Sequence, residues 1–482
     1  MVVYVDAVTG SDANSGAAPD QAWATLARVA QADLKPGSQV LLKRGSAWNE
    51  PFKLRGRAPA ANPIVLGAYG EGPRPRINGG RTHAISADEP VSGWRISGLE
   101  LTSTNDLNPT HKITGGTCGV FLGQEEPCKG LTIEDCLIHD TSGPGIYLRA
   151  DGDSKPVFKD VLVEHCEIYH ASCGIQFLAP PKYGTESFPR FRIAHCVVHD
   201  IGGDGIVPFC GNNGVIEYCT AYRTGLGCDP EDHSPIAIWY AWAKSCVIQF
   251  CEAYDNRTGG RGADGGGFDL DGGCVDCVLQ YNYSHDNEGA GYLICSWDPE
   301  QWPCTGCICR YNVSINDGLA NDYASIHFWQ LVDCQIHNNT CITRGAPALK
   351  FQTSARGLLI ANNIFYVDTP EDTAIVKSTF DPNQNRFRSN LYYHLSGKLK
   401  FAIGDTAIEH LDEFAKLVGA EGEIAGDPRL ASLSAENLHL RPGSPCRGAG
   451  LRLPDMGPRD YYGAPLPSEG PVDIGCAATA KR

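Results

Sequence analysis

Long apolar runs are absent from this 482-residue sequence, and basic residues are the minority of its charges. No stretch approaches the about 18 consecutive apolar residues of a membrane-spanning helix, so we expect no such helix. Lys and Arg number 40 against 56 for Asp and Glu, and the net charge of −16 argues against a nucleic-acid-binding surface. The same charge disfavours a polyanionic substrate unless a bound cation or a local basic groove compensates. The residues from Met1 onward show no signal-peptide pattern.

Charged residues make up only 20% of the chain and hydrophobic residues 42%, a composition that allows a large core and argues against intrinsic disorder. Glycine (55) and proline (31) make the chain rich in turns, and length alone is compatible with two or three domains. The 21 cysteines are too many for an ordinary cytosolic protein and too dispersed for a small disulfide scaffold. Because their number is odd, at least one thiol is unpaired within the monomer.

One short phrase recurs along the chain, as in "IEDCLIHD" ending at Asp140 and "VEHCEIYH" ending at His170. Its fourth residue repeats at spacings of 23 to 32 residues and is, in order, Cys136, Cys166, Cys196, Cys219, Cys251, Asn282, Asn312, Asn339, Asn363 and Asn390. A single inward position, repeated in every coil, explains both residue types. Buried cysteine acts as a small hydrophobe, and stacked asparagine amides hydrogen-bond along the column. We therefore interpret most cysteines as reduced core residues.

A second apolar phrase, such as "GIYLR" from Gly145 or "GFDLD" from Gly267, lies between copies of the first. Each repeat thus holds three short strands with an alternation of period two, and no helix. Short strands at a period of about 20–30 residues predict an all-β fold, the parallel β-helix, here a single-stranded solenoid of about ten or more coils. Neighbouring coils then lie about 4.8 Å apart.

Over roughly residues 95–395 these repeats resemble the right-handed parallel β-helix proteins of the pectate-lyase-like superfamily. The opening segment is similar to the N-terminal cap of bacterial members, with "ATLARVAQA" as a short amphipathic helix. The ending resembles their closing segment. The resemblance implies one continuous structural domain in three parts: cap and first coils (1–94), main β-helix with the catalytic groove (95–400), and last coils with the closing segment (401–482). It also implies that "GFDLD" lies on the first sheet, because the superfamily's asparagine ladder lies between the second and third sheets.

In the first-sheet phrase the second and fourth residues are apolar and point inward, so the third and fifth point outward. The outward pairs from the middle of the stack onward are Trp239/Ala241, Asp269/Asp271, Leu293/Cys295, His327/Trp329 and Lys350/Gln352. Asp269 and Asp271 share one face, with Cα atoms about 6.5–7 Å apart. Like charges there raise one another's pKa, which suits a general acid beside a general base. The alternative is a solvated pair, or aspartates that cap turns in "DGGGFDLDGG".

Enlarged loops before Ala237, before Gly267 and after Cys295 bring further side chains to the level of this pair. The predicted catalytic residues are Asp269, Asp271, Asp264, His327 and Lys350. The predicted substrate-binding residues are Trp239, Trp297, Trp329, His233, Asp232, Arg261 and Asp298. Five of the eight tryptophans lie between residues 239 and 329, and indole faces stack well on the CH surfaces of sugars. A surface imidazole and a solvated lysine are the plain alternatives for His327 and Lys350.

Two metal sites compete with these interpretations. The Cys274-x2-Cys277 and Cys304-x2-Cys307 pairs have a spacing found in zinc sites, although stacking on adjacent coils already explains them. The aspartates Asp264, Asp269, Asp271 and Asp298 form a candidate calcium site. We expect that the protein requires no cofactor, and the alternative is that these aspartates bind calcium.

The leading hypothesis is a glycoside hydrolase that cleaves a poly- or oligosaccharide by carboxylate acid/base catalysis in a groove on the first sheet. The polygalacturonase motifs "NTD", contiguous "DD", "GHG" and "RIK" are absent, so the architecture is predicted and that family is not. The first alternative is a polysaccharide lyase or uronan epimerase, with Lys350 or His327 as base and calcium held by the aspartates. The second is a non-catalytic carbohydrate-binding β-helix.

The expected partner is therefore a poly- or oligosaccharide, with no nucleic acid and no membrane. Such a substrate favours a secreted or periplasmic protein. The thiol column and the missing signal peptide would instead suit the reducing cytoplasm.

Overall fold

Residues 1–103, 116–151, 156–180, 186–227, 234–259 and 264–479 are described by a computed structural model. The chain divides into two compact units, Met1–His233 and Ser234–Arg482. In each unit, short strands form three sheets, here called first, second and third, and strands of successive coils pair in parallel. The expected division at residues 94/95 and 400/401 stays a prediction.

The first unit has strands of two to six residues. Its first sheet comprises Phe52–Leu54, Ile85–Ala87, Val120–Gln124, Ile146–Ala150, Ile175–Leu178 and Ile206–Pro208. Its second sheet comprises Val2–Val5, Gln39–Lys43, Ile64–Tyr69, Trp94–Ser97, Thr132–Glu134, Leu162–Glu164, Arg192–Ala194 and Val215–Glu217. Its third sheet comprises Ala47–Trp48, Arg76–Asn78, Glu100–Thr102, Leu137–His139, Glu167–Tyr169, Val197–His199 and Thr220–Tyr222. Short two-stranded pairs join Cys128–Lys129 to Phe158–Lys159 and Phe188–Pro189 to Gly211–Asn212.

The second unit follows the same plan. Its first sheet comprises Ile236–Tyr240, Gly266–Leu270, Tyr292–Cys295, Ile326–Trp329, Leu349–Phe351, Val376–Ser378, Phe401–Ile403 and, antiparallel to the last, Thr406–Ile408. Its second sheet comprises Val247–Gln249, Val278–Gln280, Ile308–Arg310, Gln335–His337, Leu359–Ala361 and Arg386–Arg388. Its third sheet comprises Glu252–Tyr254, Tyr283–His285, Val313–Ile315, Thr340–Thr343, Ile364–Val367, Leu391–His394 and Ile424–Ala425. Leu331–Val332 and Ala355–Arg356 form a further two-stranded pair. The fold is a right-handed parallel β-helix, as the repeats predict.

The asparagine column is a continuous hydrogen-bonded ladder in the turn between the second and third sheets. The amide of Asn282 donates to Oδ1 of Asn312 at 3.1 Å, and Asn312 donates to Asn339 at 3.1 Å. The ladder continues from Asn339 to Asn363 at 3.0 Å and from Asn363 to Asn390 at 2.9 Å. Each Oδ1 also accepts the backbone N–H of the column residue one coil earlier, as Asn312 does from Asn282 at 3.0 Å. The side chains therefore satisfy the polar groups of a buried turn.

The cysteine part of the column is buried in the same turn. All 20 cysteines in the described ranges are buried and none of them forms a disulfide; Cys228 lies outside those ranges. The reduced state of the thiols stays a prediction. The residue just before each column position has a left-handed backbone, with φ between 50° and 59°, as in Asp135 and Tyr281. That conformation turns the chain sharply from one sheet to the next, at a cost that the surrounding hydrogen bonds offset.

Helices are few in the described residues. The α-helix Leu26–Val29 is shorter than the predicted capping segment, and Oγ1 of Thr25 caps it by accepting the N–H of Arg28 at 3.0 Å. The 3-10 helix Pro19–Gln21 precedes it. The sequence did not predict the α-helix Leu411–Val418, which buries Phe414 and Val418 and ends at Gly419 with φ 62°. None of the described helices has the length and apolar character needed to cross a membrane.

Candidate functional site

Two aspartates of the "GFDLD" phrase lie on the outward face of the first sheet in the second unit. Asp269 belongs to the strand Gly266–Leu270, and Asp271 directly follows that strand. In the strand register, Asp269 pairs with Trp239 on one neighbouring coil and with Leu293 on the other. Asp269 is only 2% exposed, whereas Asp271 keeps partial access to solvent. The outward face is therefore partly covered, and Asp271 is the more accessible carboxyl.

Cys295 lies on the adjacent coil and brings a thiol between the two carboxyls. Its Sγ is 2.9 Å from Oδ1 of Asp271 and 3.9 Å from Oδ1 of Asp269. The backbone N–H of Gly272 donates to the same oxygen of Asp271 at 2.7 Å. We did not predict a role for this residue, although its outward position sets it apart from cysteines at inward positions. This outward position was the sequence feature from which a role for Cys295 at the site could have been predicted.

Asp264 reaches the site from the loop before the strand. Its backbone has φ 48°, and its carbonyl oxygen accepts the side-chain amide of Asn321 at 2.7 Å. A Cβ on Gly289 would lie 1.9 Å from that carbonyl oxygen, so only glycine allows the chains to approach this closely. The phenol of Tyr323 donates to Oδ1 of Asp264 at 3.0 Å. Hydrogen bonds to its backbone oxygen and to its carboxyl therefore hold Asp264 in place. The contact with Tyr323 was not predicted, because no sequence pattern marks that residue.

The carboxyls of Asp264 and Asp271 titrate close to neutral pH. Burial raises the pKa of Asp271 to about 7, although hydrogen bonds from Cys295 and Gly272 oppose the shift, and the charge of Asp264 raises it further. Burial likewise raises the pKa of Asp264 to about 6, against the hydrogen bond from Tyr323. Two interacting carboxyls of this kind hold a proton at the pH where many enzymes work.

Aromatic side chains border the carboxyls on two sides. Trp297 is 42% exposed and lies over Gly272, where an added Cβ would be 3.0 Å from its ring. Its ring contacts Trp242 edge-on at 5.1 Å between centroids, and Trp242 contacts Trp302 in the same way at 5.9 Å. Trp239 and Trp329 pack instead against a buried cluster around Leu293, Cys295 and Tyr323. Trp297 therefore offers the exposed indole face beside Asp271.

His327 and Lys350 lie farther along the outward face, in a polar network of their own. His327 is two coils from Asp269, about 10 Å by strand spacing. It is fully buried, and its Nε2 donates to Oε1 of Gln352 at 2.8 Å. Burial lowers the pKa of His327 to about 3, so the imidazole is neutral.

Lys350 lies one coil beyond His327 and is only 5% exposed. Its Nζ donates to the backbone oxygen of Asp322 at 2.6 Å and to Oδ2 at 3.1 Å. Lys377 binds the same carboxylate at 2.8 Å. Burial lowers the pKa of Lys350 while Asp322 opposes that shift. The structure does not bring His327 or Lys350 together with the aspartates.

The four predicted calcium ligands do not form one cluster. Only Asp269 and Asp271 place ligand atoms within 4.8 Å of one another in a group, and its third member is Cys295, whose soft sulfur does not suit calcium. Oδ1 of Asp298 instead accepts the N–H of Gln301 at 3.1 Å and caps its own turn. Asp232, His233 and Arg261 lie outside the described residues.

The predicted zinc spacing brings Cys304 and Cys307 together with Cys334 rather than with the other pair. These three buried thiols lie within 4.8 Å of one another. However, Cys307 donates to the backbone oxygen of Cys274 at 3.6 Å, and Cys334 to that of Val332 at 3.4 Å. Thiols that lie against carbonyl oxygens are what simple stacking predicts.

Because the folded protein raises the pKa of Asp271 to about 7, its carboxyl should destabilise the fold as pH rises. The sign follows from proton binding: the folded state binds the proton more tightly, so stability falls between the unfolded pKa near 4 and the folded value. Asp271→Asn cannot ionise and should be about 4 kcal/mol more stable than the wild type at pH 8, since each of the about three pKa units is worth about 1.4 kcal/mol, with the difference vanishing toward pH 4. Urea unfolding at both pH values measures this. Asp276→Asn, at an exposed carboxylate, is the control, and an equal gain at pH 4 would contradict the prediction.

No protein-family model matches the sequence. Among curated proteins, the lacto-N-biosidase of Bifidobacterium longum subsp. longum is 23% identical in an alignment that covers 93% of this chain. The chain spans about a third of the length of that relative, 34%.

Solved structures with the same architecture include the GH136 lacto-N-biosidase from Eubacterium ramulus, with a TM-score of 0.60 and 24% identity over 72% of this chain and 65% of that one. XylC in complex with xylose has a TM-score of 0.55 and 14% identity over 100% of this chain and 99% of that one. These likenesses and the parallel sheets agree on the fold. The chain has a right-handed parallel β-helix fold.

Proposed function

We propose that this chain is a glycoside hydrolase whose acid/base pair is Asp264 and Asp271. The observation that carries the proposal is that both carboxyls have raised pKa values, about 6 for Asp264 and about 7 for Asp271, and that the charge of Asp264 raises the pKa of Asp271, next to the exposed indole of Trp297. Glycoside hydrolysis requires one protonated and one ionised carboxyl near the same bond. Interacting carboxyls that titrate near neutrality supply both forms at once.

The reaction uses the pair as follows. The protonated carboxyl gives its proton to the glycosidic oxygen as the bond from that oxygen to the anomeric carbon breaks. The ionised carboxylate either takes a proton from the water that attacks the anomeric carbon, or attacks that carbon itself to form a glycosyl ester that water then hydrolyses. In both cases one water is consumed and two sugars with free hydroxyls are released. Asp269, nearly fully buried, is the third carboxyl of the site, with its Oδ1 3.9 Å from Sγ of Cys295.

The substrate we propose is an oligosaccharide that ends in a lacto-N-biosyl unit. The support is the sequence similarity to a lacto-N-biosidase over 93% of the chain and the shared fold with a second one. Trp297 would stack on one sugar ring beside the acid/base pair, since its indole is 42% exposed and its position is fixed against Gly272.

The test is to incubate the protein with lacto-N-tetraose and with a panel of neutral and uronate-containing polysaccharides, each with and without EDTA. We expect a disaccharide and new reducing ends, without the ultraviolet absorbance of an unsaturated uronate and without an effect of EDTA. Unsaturated products that disappear with EDTA would contradict the proposal and indicate a calcium-dependent lyase. Binding without any product would indicate a carbohydrate-binding protein.

A further inference from the structure

The thiol of Cys295 differs from the buried thiols in the turns in the group that it contacts, which is a carboxyl and not a backbone oxygen. Buried cysteines in the turns lie against backbone oxygens, as Sγ of Cys307 does, 3.6 Å from the oxygen of Cys274 and 3.6 Å from that of Thr305. Cys295 instead points outward from the first sheet to the carboxyl of Asp271, with Sγ and Oδ1 2.9 Å apart. It is 3% exposed, so little water competes for this contact.

The contact has a fixed direction. Burial and the charges of Asp269 and Asp271 raise the pKa of Cys295 well above its usual value, so the sulfur stays protonated and is a hydrogen-bond donor. A thiol has one proton. Oδ1 of Asp271 at 2.9 Å is nearer than Oδ1 of Asp269 at 3.9 Å, and it therefore receives that proton.

The oxygen that receives it is thereby held in one orientation. Oδ1 of Asp271 also accepts the N–H of Gly272 at 2.7 Å, so two donors fix the same oxygen. With Oδ1 occupied in this way, the remaining oxygen of Asp271 is left to act on a substrate. Within the described residues, the titratable groups that act on Asp271 or share its cluster are Asp264, Asp269 and Cys295.

We propose that Cys295 is a positioning residue of the proposed acid/base pair, whose thiol orients the carboxyl of Asp271 and stabilises its ionised form. The inference rests on the proposed function for its catalytic consequence, but the hydrogen bond itself does not depend on that function. Cys295 acts through Asp271 and does not bond to the substrate.

The test compares Cys295→Ala, Cys295→Ser and Cys307→Ala with the wild type by the pH dependence of kcat/KM. Loss of the donor in Cys295→Ala should raise the apparent pKa of Asp271 in the pH profile of kcat/KM by about 0.5–1 unit. This is the effect of one weak hydrogen bond to a carboxylate. The direction is the same whether Asp271 acts as acid or base, because the donor stabilises the ionised form in both cases. Cys295→Ser keeps a donor, so its apparent pKa for Asp271 should lie close to that of the wild type. Cys307→Ala should leave this pKa unchanged.

A second readout separates this inference from the proposed function. The infrared band of the protonated Asp271 carboxyl, assigned by its loss in Asp271→Asn, can be titrated without any substrate. If the pKa of Asp271 rises in Cys295→Ala while the wild type shows no hydrolase activity, the hydrogen bond is supported and the proposed hydrolase function is rejected. An unchanged Asp271 titration in Cys295→Ala, with the fold intact by circular dichroism, would overturn the inference.

Discussion

Asp271→Asn and Asp264→Asn should each lower kcat on an oligosaccharide by about a hundred- to ten-thousand-fold, the usual contribution of a positioned acid or base. Both substitutions preserve shape and remove only the titrating proton. Asparagine can still accept hydrogen bonds like those that Tyr323 and Gly272 donate, so neither change should disturb the loop or the strand. The measurement is steady-state kinetics with the released disaccharide as readout. Asp276→Asn, at an exposed carboxylate of the same unit, is the matched control and should keep full activity.

The leaving group of the substrate distinguishes the two roles. An aryl glycoside with a nitrophenolate leaving group needs little protonation, so the variant that lacks the acid should recover much of its rate on it. The variant that lacks the base or nucleophile should stay inactive on both substrates. Full activity of both variants on both substrates would contradict the assignment of the pair. Loss of activity in Asp269→Asn alone would return the acid/base role to Asp269.

The repeated core was predictable because one constraint recurs in every coil. A side chain at the turn between the second and third sheets must be small and must satisfy a backbone N–H, and cysteine followed by asparagine at that position is visible as a column. The same reasoning placed Asp269, Asp271 and Cys295 on one outward face. Strand alternation fixes which face a residue occupies, so these placements needed only the period of two.

The loop that packs on this outward face was not predictable in the same way. Tyr323 lies in a loop outside the repeat, yet its ring lies 4.2 Å from that of His327 and its phenol reaches Asp264 at 3.0 Å. The Tyr323 ring helps to bury His327, and Lys350 is buried with its Nζ bonded to Asp322, although alternation alone presents both as exposed groove residues. Loop conformation depends on contacts that have no sequence period, so burial and the resulting pKa shifts appear only with the three-dimensional structure.

A second column of buried polar side chains is not predicted by the sequence repeats. Asn256 donates to Oδ1 of Asn287 at 2.7 Å, and Asn287 donates to Oδ1 of Asp317 at 2.8 Å. The column ends on a carboxyl whose pKa burial raises to about 6. It mixes two residue types, so no repeated letter marks it. Short columns of this kind become visible only when the coil register is known.

The long asparagine ladder should dominate the stability of the second unit, and Asn312→Ala tests this most strongly. Asn312 is fully buried, and its Oδ1 accepts both the backbone N–H of Asn282 at 3.0 Å and the side-chain amide of Asn282 at 3.1 Å. Its own amide donates to the backbone oxygen of Leu279 at 3.0 Å and to Asn339 at 3.1 Å. Truncation leaves these buried partners unsatisfied, so we expect a loss of about 3–4 kcal/mol in the free energy of unfolding.

Urea unfolding followed by circular dichroism measures this loss. Cys251→Ala is the matched control, because Cys251 occupies the same column in the same unit and its thiol contacts the backbone oxygen of Gln249 at 3.3 Å. Removing one sulfur there should cost about 1 kcal/mol, since no strong donor or acceptor loses its partner. Asn312→Cys should fall between the two, because it restores the volume of the column without the amide. Equal losses for Asn312→Ala and Cys251→Ala would mean that the ladder contributes packing alone, and that the change from cysteine to asparagine along the chain has no energetic basis in hydrogen bonding.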